Sequence, residues 1–182
     1  MDNLIYSFEI AFRHLCQFST IHQILFLTII GAFFSFRDWK TYLLIILALC
    51  SGSVLGLSLA AFKAVSLTKA TIHLLAIISL VLVALNGIFS NRITTLHYNI
   101  FVLIGIMQGF VLSLHYKAVL GSSFKFLSYL GYNLGSFSAI LIISFLSLLV
   151  CTLILTLFKT DKHKISLVLS GIGLGVALMM YF

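Results

Sequence analysis

The chain has 182 residues, of which 62% are hydrophobic and only 8% are charged, and its mean hydropathy is +1.20. Soluble domains of this size carry far more charge, so the composition excludes a soluble enzyme or binding domain. The net charge of +7 comes from basic residues at the ends of apolar runs, where lipid headgroups rather than nucleic acid would meet them. The sequence therefore predicts an integral membrane protein whose first partner is the lipid bilayer.

The apolar runs are continuous, which favours membrane-spanning helices over the alternating strands of an outer-membrane barrel. We expect an all-α fold in one domain, residues 1–182, with about six spans, and residues 2–18 either form an additional interfacial helix or lead straight into the first span. The expected location is a bacterial inner membrane. The fifth run is longer than a bilayer needs, so we expect it to tilt, protrude or unwind near residues 131–135. The six predicted spans are 20–36, 41–64, 70–89, 96–119, 127–158 and 165–182.

Four of these spans carry two glycines one turn apart. Such pairs leave a smooth groove in which another helix can approach closely. We expect them to pack helices within the chain, with an interface between two copies as the alternative. The pairs are Gly52 and Gly56, Gly105 and Gly109, Gly131 and Gly135, and Gly171 and Gly175.

Acidic residues are few, and none lies in the middle of a span. This argues against a carrier coupled through a buried carboxylate. No serine or cysteine has an evident histidine and acid to activate it, so we do not expect an enzyme. The four acidic residues are Asp2, Glu9, Asp38 and Asp161.

Histidines offer the best candidate chemistry. His22 and His73 begin odd-numbered spans, so they lie on the same side of the membrane, with His14 nearby in sequence and Gln23 adjacent to His22. Two or three imidazoles with amide oxygens suit Ni²⁺, Co²⁺ or Zn²⁺. The spacing is not specific, because no helix holds an HxH or HxxxH pair. The other three, which we interpret as interfacial or solvated, are His97, His115 and His163.

The order of four segments resembles the HupE/UreJ family, membrane proteins that accompany hydrogenases and ureases and are regarded as nickel or cobalt permeases. These segments are FRHLCQFSTIHQILFLTIIGAFFSFRDWK, LALCSGSVLGLSLA, GIMQGFVLSLHYKAVLG and YNLGSFSAI. They occur in the family's order and are spread between residues 12 and 140. The resemblance implies a helical permease for Ni²⁺ or Co²⁺ as the transported ion.

The resemblance also assigns residues, and several of them depart from the family pattern. The family's first histidine falls on His14, and its Asp-His pair falls on His22 and Gln23. An acidic residue falls on His73, and the histidine of a His-Gly step falls on Gln108. These five residues form the implied metal path. Its implied cavity-lining residues are Ser53, which replaces a histidine, and Asn133, which is kept. The family's following glutamate and glutamine fall on Phe137 and Ile140.

Two hypotheses follow. In the first, the chain is a HupE/UreJ-like permease for a divalent transition metal with a remodelled site, and the path residues face a common cavity. In the second, it has kept the fold, lost the ligands and serves as a scaffold or accessory subunit in the membrane. The second hypothesis predicts scattered polar residues and apolar faces available to a partner.

Overall fold

The computed structural model describes residues 2–17, 21–34, 36–89, 95–121 and 125–181. Within these residues the chain forms seven α-helices and one 3-10 turn, Phe36–Asp38. The helices are α1 Asp2–Cys16, α2 Ile21–Ala32, α3 Trp39–Ala61, α4 Lys69–Phe89, α5 Thr95–Leu120, α6 Phe126–Phe158 and α7 Lys162–Tyr181.

Five of the helices, α3 to α7, are long and apolar enough to cross a membrane. The predicted all-helical membrane bundle is therefore confirmed. The predicted first span is wrong in length, because α2 has 12 residues and covers about 18 Å of a hydrocarbon layer about 30 Å thick. Beyond Ala32 the chain leaves the helix, and Phe34 packs on Tyr42 with ring centroids 5.1 Å apart. Burial of that ring ends α2 although the apolar sequence continues.

The long helix α6 is unbroken over its 33 residues, a length of about 50 Å. It does not unwind near residues 131–135, because α1 covers both glycines of that stretch. A Cβ on Gly131 would overlap the carbonyl of Leu4, and one on Gly135 would overlap that of Phe8. The two contacts advance together, so α1 runs in the same direction as this part of α6.

A second glycine contact joins α3 and α5. Cβ atoms on Gly52 and Gly56 would overlap the carbonyl oxygens of Val102 and Ile106. In return, Cβ atoms on Gly105 and Gly109 would overlap carbonyls of α3. The two backbones thus meet directly along one turn, as the glycine spacing allows.

The last glycine pair differs from the prediction of packing within the chain. No atom of the described residues lies within 4 Å of a Cβ built on Gly171 or Gly175, and both residues are exposed. The glycine of α7 that packs is Gly173, which faces Ile29 and Ala84. Because the face of α7 that carries Gly173 packs inside the bundle, Gly171 and Gly175 lie on the outer surface of the bundle.

The centre of the bundle is apolar. Helix α2 packs between α4, α6 and α7, and α4 packs between α5 and α7. The side chains of Ile29, Ile45, Val83 and Ile104 are fully buried there. This core separates the two polar ends of the molecule.

Contacts between helices show which helix termini lie at the same end of the bundle. Ser79 of α4 meets Gln108 of α5, and His73 of α4 meets Met180 of α7. The end where α4 and α6 begin and α3, α5 and α7 finish is called the histidine end. The opposite end, where α3, α5 and α7 begin, is called the far end.

Candidate functional site

Four histidines from four helices lie near one another in the half of the bundle that finishes at the histidine end: His14 of α1, His22 of α2, His73 of α4 and His115 of α5. They are called the histidine cluster. The rings of His14 and His115 stack nearly parallel, with centroids 3.5 Å apart and an interplanar angle of 8°. His22 lies close enough to both His14 and His73 for their charges to interact. The cluster is therefore a row that runs from His115 through His14 and His22 to His73.

Hydrogen bonds assign a tautomer to the first ring of this row. The Tyr132 hydroxyl donates to the carbonyl of Leu112 at 3.2 Å, and His115 Nδ1 lies 3.1 Å from the same hydroxyl. A hydroxyl has one proton to give, so His115 donates through Nδ1. Its Nε2 then carries the lone pair, as in a metal-binding histidine held by a partner behind it.

The last ring of the row is held in a similar way. His73 Nε2 lies 3.0 Å from the carbonyl of Met180. A carbonyl only accepts, so Nε2 carries the proton and Nδ1 carries the lone pair of the neutral ring. His73 itself is exposed. Each end of the row therefore keeps one nitrogen that these bonds do not use.

Burial favours the neutral form of His14. Its pKa is lowered from 6.5 to about 4, first by desolvation and then by the neighbouring charges of His115 and His22. At neutral pH this imidazole is uncharged. Neutral imidazole is the form that binds a metal ion.

Two glutamines lie further inside. Gln23 is 6% exposed, and its Oε1 atom is buried and has no hydrogen-bond partner among the described residues. Gln108 is also 6% exposed, and its Nε2 donates to Ser79 Oγ at 2.7 Å. Gln108 precedes His115 by seven residues on α5, which places it about 10 Å deeper. That bond engages the nitrogen of the Gln108 amide and not its oxygen.

The two residues predicted to line a cavity share a small crevice. Ser53 and Asn133 face it together with Ser136 and four apolar side chains and Cys50, and its volume is about 10 Å³. Such a space holds one water molecule at most. Ser53 donates to Leu49 of its own helix, and Asn133 donates to Tyr129 of its own helix. These hydrogen bonds do not connect Ser53 or Asn133 to the histidine cluster.

The predicted metal residues therefore divide into groups. His14, His22 and His73 come together with His115, whereas Gln108 lies deeper and is bonded to Ser79. Among the described residues, no three histidine, cysteine, aspartate or glutamate side chains are placed to hold one metal ion. The cluster as it stands is a row of rings and not a closed coordination site.

A second polar feature lies at the far end. A cavity of about 460 Å³, called the far cavity, opens among the start of α3, the end of α4, the start of α5 and the start of α7. Phe33 and Phe34, where the chain leaves α2, also line it. The polar side chains that line it include Asp38, Asn86, His97, Lys162, His163 and Ser166.

Sequence reasoning missed both His115 and the far cavity. The signal for His115 was present, because the end of an even-numbered span lies on the same side as the start of an odd-numbered one. The far cavity gave no such signal. It exists because α2 stops at Ala32, a boundary that composition does not reveal.

Comparisons of the chain with protein-family models, with curated proteins and with solved structures return no match.

Proposed function

We propose that this chain is a permease of the HupE/UreJ type for a divalent transition metal, Ni²⁺ or Co²⁺, in a bacterial inner membrane. The observation that carries the proposal is the histidine cluster. Four imidazoles from four separate helices lie in a row within one half of an apolar bundle. Imidazole suits nickel and cobalt, and it binds them when neutral.

The protonation of the cluster supports this role. The lowered pKa of His14, about 4, keeps its ring uncharged at neutral pH. The bonds of His115 and His73 to Tyr132 and Met180 leave one nitrogen on each ring for an ion. Binding needs a change of ring orientation, because the stacked rings of His14 and His115 face one another rather than a common point.

The buried amides extend the path inward. Gln23 Oε1 is a buried oxygen without a partner among the described residues, and such an atom is costly to leave unsatisfied. Gln23 follows His22 directly in α2, and adjacent side chains of a helix do not face each other, so this oxygen would be a separate polar group beside the cluster. Gln108, about 10 Å deeper, offers a second amide oxygen.

The first test is calorimetric titration of the detergent-solubilised protein with Ni²⁺, Co²⁺ and Zn²⁺. We expect micromolar or tighter binding that is lost in the variant with His14, His22 and His73 changed to alanine. A matched control changes Ser51, Ser138 and Thr156 to alanine. These are exposed hydroxyls bonded within their own helices. Tight binding that survives the histidine changes would contradict the assignment.

The second test is uptake of labelled Ni²⁺ or Co²⁺ into proteoliposomes. His22→Ala and Gln108→Ala should abolish uptake, while the amount of folded protein stays unchanged. Normal uptake in both variants would contradict the proposed ion path through His22 and Gln108.

The exposed face of α7 favours a second candidate, a membrane scaffold or accessory subunit that transports nothing. Gly171 and Gly175 lie open on that face, and a packing surface without a neighbour in the chain suits a partner helix. This candidate predicts absence of uptake by the unaltered protein, together with normal folding of the variant that lacks the cluster histidines.

A further inference from the structure

An apolar groove lies on the outer surface between the first turns of α3 and the middle of α6. It is called the α3–α6 groove, and its volume is about 290 Å³. Its walls include Trp39 and Leu43 of α3 and Phe145 of α6, all of them exposed. We propose that this groove binds one acyl chain of a phospholipid from the surrounding bilayer, with the phosphate of that lipid near Lys40.

The described lining of the groove offers an apolar surface with little capacity for hydrogen bonding. The Tyr42 hydroxyl donates to the carbonyl of Ser144 at 2.8 Å, so it is engaged within the wall. The Oγ atom of Ser144 is itself buried. The other described lining side chains are leucine, isoleucine and phenylalanine, together with the Trp39 indole. Such a surface favours a ligand without polar groups along its length, as a hydrocarbon chain is.

The groove runs along the bundle. Tyr42 contacts Ser144, whereas Ser53, further along α3, shares a crevice with Asn133, which comes earlier in α6. The two helices therefore run in opposite directions, and the groove follows both of them. It extends along α3 from Trp39 to Ile46, which is two turns or about 10 Å. A groove that runs inward from the start of a spanning helix has the direction of a lipid acyl chain.

The outer end of the groove lies at the level of the lipid headgroups. Trp39 is 50% exposed, and tryptophan is typical of the boundary between hydrocarbon and headgroups. Lys40 Nζ lies 6.0 Å from the centroid of the Trp39 ring, so an ammonium group lies beside a lining residue at this end. Basic residues near the membrane surface attract lipid phosphate. A lipid whose chain enters the groove would therefore place its phosphate within reach of Lys40.

The size of the groove favours an extended chain over a helix of a second copy. A volume of about 290 Å³ is close to the lower limit of small-ligand pockets, about 300 Å³. A helix with its side chains is about 10 to 12 Å across, so it would cover the groove without entering it. An apolar groove left unfilled forfeits dispersion contacts. A flexible hydrocarbon chain restores these contacts because it lies inside.

The test uses the fluorescence of Trp39, which is the single tryptophan of the chain and lines the groove. The detergent-solubilised protein is titrated with phosphatidylglycerol that carries bromine on its acyl chains, because bromine quenches a nearby indole. We expect quenching that saturates at a single lipid per chain and is reversed by the same lipid without bromine. Quenching that rises in proportion to the lipid content of the micelle, without saturation, would overturn the site.

Two variants fill the groove, so the test does not depend on the folding of one of them. Leu43→Phe and Leu141→Phe place a larger ring among the lining residues, and each should weaken saturable binding by about ten-fold or more, as overpacking does. The matched control is Leu55→Phe, at an exposed position of α3 outside the groove. Equal saturation in all three variants would overturn the inference.

A third variant tests the position of the headgroup. Lys40→Met should weaken binding by about five-fold, the size expected for one basic residue near the membrane surface, while the quenching at saturation stays the same. Unchanged affinity would overturn the contact between Lys40 and the phosphate. A lower mass of Leu43→Phe than of Leu55→Phe in sedimentation would show a second copy over the groove and overturn the lipid site. None of these measurements involves a metal ion, so their outcome is independent of the proposed transport.

Discussion

The glycine pairs of α5 and α7 have the same spacing and opposite surroundings. Gly105 and Gly109 lie against the backbone of α3, whereas in the part of the chain that the structure describes no atom lies within 4 Å of a Cβ added to Gly171 or Gly175. The difference lies in the neighbouring helix. Helix α3 brings its own pair, Gly52 and Gly56, into register, so two smooth surfaces meet. The neighbours of α7 present side chains, and these pack on Gly173 instead.

Two glycines one turn apart therefore allow another helix to approach closely, but their spacing does not determine which helix does so. Among the described glycines, those whose added Cβ would overlap a carbonyl oxygen of another helix lie where two helices run in the same direction. This holds for α3 with α5 and for α1 with α6. The substitutions below test how far the surroundings, rather than the spacing, set the cost of a side chain.

The largest effect is expected for Gly105→Leu. The added side chain would meet the backbone of α3, including the carbonyl of Leu49, which cannot move aside without separating the two helices. We expect destabilisation at or beyond the upper end of the 1 to 3 kcal/mol typical of overpacked sites, about 3 kcal/mol. Thermal stability of the monodisperse protein in detergent measures it. Gly171→Leu is the matched control, and equal melting of the two variants would refute the difference.

A smaller effect is expected for Gly135→Leu. Its side chain would meet the carbonyl of Phe8 and push α1 away from α6, while the contact between α3 and α5 stays intact. We expect a loss of about 1 to 3 kcal/mol and faster tryptic cleavage after Arg13, whose side chain is exposed. Thr156→Leu, at an exposed position on α6, is the control. Unchanged cleavage in Gly135→Leu would show that α1 is held by other contacts.

Acid should loosen α1 through His14. The pKa of this ring falls from 6.5 in the unfolded chain to about 4 in the folded one, chiefly because of desolvation. The unfolded chain therefore binds the proton first, so the stabilisation is complete above pH 6.5 and is lost as pH falls towards 4. Melting temperatures at pH 7.5 and pH 5 measure this loss. His14→Phe keeps an aromatic ring that cannot be protonated, and it should reduce the loss. An equal loss in that variant would assign the acid sensitivity to other groups.

Much of the fold follows from the sequence, because long apolar runs without charges have few alternatives in a membrane. The bounds of α3 to α7 agree closely with the predicted spans for this reason. The length of α2 does not follow, since residues 33–36 are as apolar as those before them. What ends the helix is the packing of Phe34 on Tyr42, a contact between segments.

The candidate site was predictable to a similar degree. Alternation of the spans places His22 and His73 on one side, and they do lie near one another. The stacking of His14 on His115 depends on how α1 crosses α6, which residue spacing does not define. The inward face of α7 was unpredictable for a related reason, since Gly171, Gly173 and Gly175 are alike as residues and only the neighbours of the helix distinguish them.

The smallest effect, with the opposite sign, is expected for Gly171→Ala. Glycine inside a helix is less favourable than alanine by about 0.5 to 1 kcal/mol, and no atom lies near enough to oppose the added methyl group. The variant should therefore melt slightly higher than the unaltered protein, whereas Gly105→Ala should melt lower. Sedimentation in detergent should give the same mass for both variants and for the unaltered chain. Destabilisation by Gly171→Ala, with a fall in mass, would mean that a second copy of the chain covers this face. Gly105 and Gly109 would then pack a helix of the same chain, whereas Gly171 and Gly175 would pack a helix of the second copy.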